Sequence, residues 1–445
     1  AKRLTFAKTG GGLTVDTQDF TLTYGAIHHL NVAVAGNLAN DTAWATQPVV
    51  AIQDEDNNTV DITDTVTLTA TGATTVAIGG TTSMQTTNGV ADFTGKGVKL
   101  TGLAGSKTLT AEITSGSGFA KDTAITLGYG AATKLSLTTE PTGFVNRSNF
   151  TVQPVVTVQD VSGNTVGNST ISIDVSIDSG DVTGTTRINA VGGVATFAGL
   201  GKTGTIGLKT LTFKDTAGLL TVATKQFTLT HGAAHHTTLA VASSLANNTA
   251  FATQPVVTIY DQDDNVVTTG SQSTQTVTLS VSGATTVAIS GSLTMDAADG
   301  VANFTGKGVK LTGLIGAKSL TATIASPSSI TKTETVTITY GAATKLVIST
   351  DAADASNGSA FGTQPVILVQ DFSGNLVANS TVNVTTSISN GTLDGTDTIP
   401  AVGGVATFTN LGLTASAGAK TLTFSSGVLT SDTTQVFTLT HGAAD

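Results

Sequence analysis

The chain has 445 residues, of which 39% are apolar and 11% charged, with 50 glycines, no cysteine and a formal net charge of -10. The apolar content excludes a disordered chain, and the missing cysteines exclude disulfides, zinc-thiolate sites and thiol nucleophiles. A thin negative charge without a basic stripe argues against nucleic acid as a partner, and no run of 18 apolar residues predicts a membrane span.

In chain order the first segment, KRLTFAKTGGGLTVDTQDFTLTYGA (2–26), has a near copy in KTLTFKDTAGLLTVATKQFTLTHGA (209–233). Residues 1–25 therefore read as the C-terminal strands of a partial module, because the copy ends a complete one. Either the sequence is a window from a longer array, or another subunit completes the half-module. An orphan hairpin would leave an apolar face and a sheet edge open, which favours the window. Ala1 opens without a secretory signal, as a mature or excised segment would.

Beyond residue 25 a shared motif appears four times, as PVVAIQDEDNN (48–58), PVVTVQDVSGN (154–164), PVVTIYDQDDN (255–265) and PVILVQDFSGN (365–375). The modules fall into two alternating types, A at 26–130 and 233–341 and B at 131–232 and 342–445. Type A copies share GATTVAI and FTGKGVKLTGL, and type B copies share AVGGVATF, KTLTF and FTLTHGAA. The unit is thus a two-module cassette present twice.

Between turn signals the chain alternates with period 2 over short runs rich in Val, Ile, Thr, Leu and Phe, the pattern of half-buried antiparallel strands. In the second module the predicted strands lie near 134–137, 153–160, 170–177, 185–188, 194–197, 209–213 and 226–231. Leu211 and Phe213 should share a buried face, as should Phe227 and Leu229, with Thr210, Thr212 and Thr228 pointing away. The turn from Asp160 to Asn164 predicts a positive φ at Gly163, and equivalently at Asn57, Asp264 and Gly374. The fold class expected is all-β: tandem immunoglobulin-like antiparallel sandwiches joined like beads in an alternating A-B cassette.

QPVVTVQDVSGNTV followed by STISIDVSI, GGVATF and KTLTF resembles the bacterial immunoglobulin-like repeats of invasin- and intimin-type adhesins, and is similar to repeats of surface-layer, stalk and filament proteins. The resemblance covers all four modules and implies a fold and an extracellular, cell-surface location. It carries no catalytic or binding residues to transfer.

The Asp-rich turns offer oxygen ligands for calcium from Asp54, Asp56, Asp261, Asp263 and Asp264, with Glu55, Asn57 and Asn265 beside them. Turns 160–164 and 371–375 carry fewer carboxylates, so a solvated hairpin is the preferred reading. The six histidines, His28, His29, His231, His235, His236 and His441, all lie at module junctions. Paired imidazoles can bind a transition metal or titrate, yet Tyr24, Tyr129 and Tyr340 match His231, which favours packing by a flat side chain. Trp44 has Phe150, Phe251 and Phe361 at its place in the other modules and reads as a core plug. Glycosylation sequons occur at Asn40, Asn57, Asn146, Asn149, Asn168, Asn247, Asn357, Asn379, Asn383 and Asn390. FTGKGVK lacks the glycine spacing and hydroxyl of a phosphate loop and reads as a turn. Four glutamates, junctional histidines and tandem copies give little support for catalysis, or for Lys-Asn isopeptide crosslinks.

The expected function is structural: a stalk or filament outside a prokaryotic cell, its junctions Gly25-Ala26, Gly130-Ala131, Gly232-Ala233 and Gly341-Ala342 too short for free rotation. Its expected partners are copies of itself or further repeats of the same chain. The alternatives are an adhesin stalk whose host or glycan ligand binds a separate domain, and a surface-layer lattice protein. No cofactor is expected apart from the calcium considered above.

Overall fold

A computed structural model describes residues 1–6, 9–10, 18–114, 118–325, 329–427, 429–431 and 435–441. The middle of the 2–26 segment, on which part of the first repeat match rests, lies outside the described residues. Every regular element among those described is a strand, and no helix is long and apolar enough to cross a membrane. The chain forms two compact units, Ala1–Thr230 and His231–Asp445.

The alternation of apolar and hydroxyl side chains decides where the cores form. In the second module Leu211, Phe213, Phe227 and Leu229 are buried while Thr210, Thr212 and Thr228 face outward, as a pleated strand with one dry face requires. Within the first unit the buried apolar residues form one cluster from Leu30 to Leu127 and another from Leu135 to Leu229. Within the second they run from Leu239 to Ile338 and from Leu346 to Leu439.

Around the first core, strands His29–Ala33, Val49–Gln53 and Val90–Asp92 make one antiparallel sheet. Facing it is a five-stranded sheet in the order Asn37–Ala39, Ala120–Gly128, Gly105–Ile113, Thr65–Thr71, Ser83–Gln85, whose first pair is parallel. The core from Leu239 to Ile338 has the same arrangement, with His236–Ala240, Val256–Tyr260 and Val301–Asn303 in the smaller sheet. Around the second core, Lys134–Thr139, Val155–Gln159 and Val194–Thr196 oppose Arg187–Asn189, Ser172–Ile177, Gly207–Asp215 and Ala223–Leu229.

All seven strands expected in the second module are present, and the structure adds Asp181–Thr183 paired with Gly201–Thr203. Three residues bounded by glycines are too short to display a period, so this ribbon left no readable pattern. The lysine of the KTLTF segment also faces inward. Lys107, Lys209, Lys318 and Lys420 are buried, and the ammonium groups of Lys107, Lys209 and Lys318 reach the hydroxyls of Thr74, Ser179 and Thr285.

Strand Lys2–Leu4 pairs with Gln18–Phe20. Leu4, Phe6, Phe20 and Leu22 are 49%, 60%, 43% and 64% exposed, whereas Leu211, Phe213, Phe227 and Leu229 at the matching places are 0%, 0%, 6% and 1% exposed. The hairpin's apolar face is open, as its sequence match anticipates.

Candidate functional site: the module junctions

The turn after the second strand of each module is tight because the aspartate that opens it holds the loop's own amides. Asp160 Oδ1 accepts the backbone N–H groups of Ser162 and Asn164 at 3.0 and 2.9 Å. Gly163, where the chain reverses, has φ 90°, and Asn57, Asp264 and Gly374 have φ 66°, 61° and 90°, all four as expected from the sequence.

The other carboxylate oxygen reaches outside the module. Asp160 Oδ2 accepts the N–H of Gly130, in the junction itself, and the side-chain amide of Asn40, in the preceding module, both at 2.9 Å. Asn40 Oδ1 in turn accepts the N–H of Gly102 at 2.8 Å. Asn164 completes the ring: its Oδ1 accepts the N–H of Ala104 at 2.7 Å, and its amide donates to the carbonyl of Gly102 and to Asp160 Oδ2, each at 2.9 Å. Asn40, Asp160 and Asn164 are all buried, and the bonds to the Asp160 carboxylate are charge-assisted, so the network clamps one module to the next. A Cβ on Gly130 would lie 2.2 Å from the Asn40 carbonyl oxygen, which is why the junction carries glycine.

The second unit repeats the clamp residue for residue. Asp371 Oδ2 accepts Gly341 N–H and the Asn247 amide at 2.9 Å, while Asn375 binds Gly313 O at 3.0 Å and Ile315 N–H at 2.9 Å. In the other two turns, Asp54 accepts the N–H of Gly25 and Asp261 that of Gly232, both at 2.8 Å.

Hydrogen bonds favour the ionised form of Asp160, Asp371 and Asp54. Burial alone would raise Asp160, but the Asn164 side chain and the amides of Gly130 and Asn164, with Asn40, hold it below the ordinary aspartate range. Asp371 is lowered against the same burial by Gly341, Asn375 and Asn247. In Asp54 the bond from Gly25 is the main cause of the lowering.

The structure distributes the five calcium candidates. Asp54 and Asp261 turn inward onto N–H donors, which occupy oxygens that a calcium ion would need. The backbone amides of Asp56 and Asp263 are among those donors, and the carboxylate of Asp264 faces His236. Among the described residues no three His, Asp or Glu side chains gather as a metal-holding group.

Of the sequons, Asn40 and Asn247 are 1% and 3% exposed with their amide nitrogens bonded to Asp160 and Asp371, so the folded junctions do not present them as acceptors. Asn146 is equally buried, its Oδ1 accepting Gly204 N–H. Asn57, Asn168, Asn379 and Asn390 are exposed. Trp44, Phe150, Phe251 and Phe361 are buried in the four cores, and the indole N–H of Trp44 has no hydrogen-bond partner. His231 is half-buried, its Nε2 accepting the N–H of Thr269 at 3.0 Å.

The sequence pattern of the second module placed Gln153, just before the motif proline, at the start of a strand. In the structure Gln47 spans two segments, its amide donating to the carbonyls of Trp44 and Val98 at 2.7 and 3.2 Å and its Oε1 accepting Val98 N–H at 2.7 Å. Gln153, Gln254 and Gln364 make the same bridges. The recurrence of Gln-Pro in all four copies was the available signal.

No protein-family model matches the chain, and no curated protein matches it. Solved structures similar to it include invasin, a bacterial integrin-binding protein, at 14% identity and TM-score 0.33, covering 93% of this chain and 79% of that one. The Escherichia coli adhesin FdeC is similar at 15% identity and TM-score 0.31, over 69% of this chain and 98% of that one. A tetra-tandem repeat from the extending region of a large adhesion protein is similar at 14% identity and TM-score 0.27, over 92% of this chain and 99% of that one. Likenesses at this level assign no family, and the functional reading below rests on the chain's own repeats and junctions.

Proposed function

We propose that the chain is a load-bearing spacer: tandem immunoglobulin-like modules of an extracellular structural protein on a prokaryotic surface, acting mechanically and without catalysis. The observation that carries this reading is the buried Asp-Asn clamp at Gly130-Ala131 and again at Gly341-Ala342. A buried polar network that is fully bonded fixes one geometry, so each clamped pair should move as one body. We take the two-module cassette as the geometric repeat. What supports it is that the division between Thr230 and His231 falls at the cassette boundary, and that each unit carries its clamp at the same internal junction. Partners would be further modules of the same kind.

The test is to compare the full chain with an Asp160→Ala/Asp371→Ala variant by small-angle scattering. The spacer reading expects a narrow distance distribution that broadens in the variant while strand content is kept. A wild-type chain already as broad as the variant would sink it. Protease shaving of intact source cells checks the location, and release only after lysis would overturn an extracellular one.

A further inference from the structure

Two adjacent histidines enter the first strand of two modules. His28 lies just before His29–Ala33, and His235 just before His236–Ala240. Neighbours on a strand normally point to opposite faces, yet here the chain is still leaving the Gly-Ala junction and both rings turn to one side. The Nδ1 atoms of His28 and His29 are 3.2 Å apart, with ring centroids at 5.4 Å and planes at 86°. Those of His235 and His236 are 3.4 Å apart, with centroids at 5.6 Å and planes at 81°. The same convergence is thus built twice.

We propose that each pair is a two-coordinate chelate for zinc or a zinc-like divalent ion, bound through both Nδ1 atoms and completed by water. With zinc-nitrogen bonds of about 2.0–2.1 Å, these separations subtend about 100–115° at the metal, which brackets the tetrahedral angle. A square-planar copper site would need the nitrogens to close to about 2.9 Å.

The second pair has an orienting carboxylate as well. His236 Nε2 lies 3.1 Å from Asp264 Oδ1, and Tyr260 stacks on the same ring at 5.5 Å. An Nε2–H donated to Asp264 leaves the Nδ1 lone pair of neutral His236 free to bind. With His235 donating its Nδ1–H to that lone pair before the metal arrives, binding would move the His235 proton to its Nε2 and release none. At the matching place in the first module stands the uncharged Asn57, while Glu55 and Asp56 share a surface pocket with His28 and favour a cation there.

The experiment is zinc titration of the full chain by calorimetry at neutral pH, beside His28→Ala, His235→Ala and the double variant. These replace the exposed member of each pair and leave the ring stacked on Tyr260. One zinc per pair is expected, each single variant losing one site and the double variant losing both. Nitrogen chemical shifts should place the bond at Nδ1, and cobalt should give the absorption of a tetrahedral ion. Asp264→Asn should weaken the His235-His236 site by about tenfold or more and leave the other unchanged. Zinc uptake by the double variant equal to wild type, or shifts that place the metal on Nε2, would overturn the proposal. His231 and His441 are present in every variant, so their contribution cancels.

Discussion

Asp160 links its own turn to the junction, because its two oxygens face two different tasks. One closes its own turn and the other holds Gly130 and Asn40. Truncating it leaves those buried donors unpaired, so Asp160→Ala should cost about 3 kcal/mol and Asn40→Ala less, since the carboxylate keeps its other donors. The clamp also sets an acid limit. Its carboxylates lie below the ordinary value of 3.8 when folded, so near that pH the unfolded chain binds more protons than the native one. The contribution is therefore fully present above about 3.8 and is lost as pH falls through the lowered native values. Calorimetry from pH 7 down to 2.5 should show a flat melting temperature that drops below about pH 4, and Asp160→Asn/Asp371→Asn should shrink that drop. A melting temperature falling already between pH 7 and 5 would contradict the assignment.

At the scale of elements, the modules hold their short strands together with side-chain bridges. Several strands have only three residues, too few to register by ladder bonds alone, and the Gln47 class of bridges fixes the loop before the second strand to the backbone of residue 98 or its equivalents. Gln47→Ala should destabilise its module by about 2 kcal/mol, read by urea unfolding, because it leaves the buried N–H of Val98 unpaired, while the Val98 carbonyl keeps the N–H of Trp44. A loss under about 0.5 kcal/mol would mean that the bridge only decorates the loop. The strands of the second module were legible because five or more alternating residues display their period. Asp181–Thr183 and Gly201–Thr203 were not, since their pairing depends on partners brought together by the rest of the sandwich. The inward lysine of KTLTF was likewise hidden, for a charged residue at an apolar position becomes intelligible only when the Thr74 or Ser179 hydroxyl at the sandwich end is seen to receive it.

For the whole molecule, cohesion resides in apolar cores and buried hydrogen bonds, with little from charge. The ion pairs found, such as Arg187 with Asp174 and Lys225 with Glu140, are largely exposed and worth little each. Raising sodium chloride from 0.05 to 1 M should therefore shift the main unfolding transitions by no more than a few degrees, because short-range buried bonds are not screened. A large destabilisation by salt would point to an electrostatic scaffold instead.

The sequence by itself determined the repeat, the all-β class, the buried stripe of Leu211, Phe213, Phe227 and Leu229, and the left-handed turn positions. Each is a local property: period 2 marks a dry face, and only certain residues accept a positive φ. The tertiary structure decided what the turn aspartates do. The bond from Asn40 to Asp160 joins residues 120 apart, and the bond from Asn247 to Asp371 joins residues 124 apart. Pairings at that separation leave no periodic trace in the chain, so an Asp that reads as part of a solvated hairpin becomes a buried clamp once two modules meet.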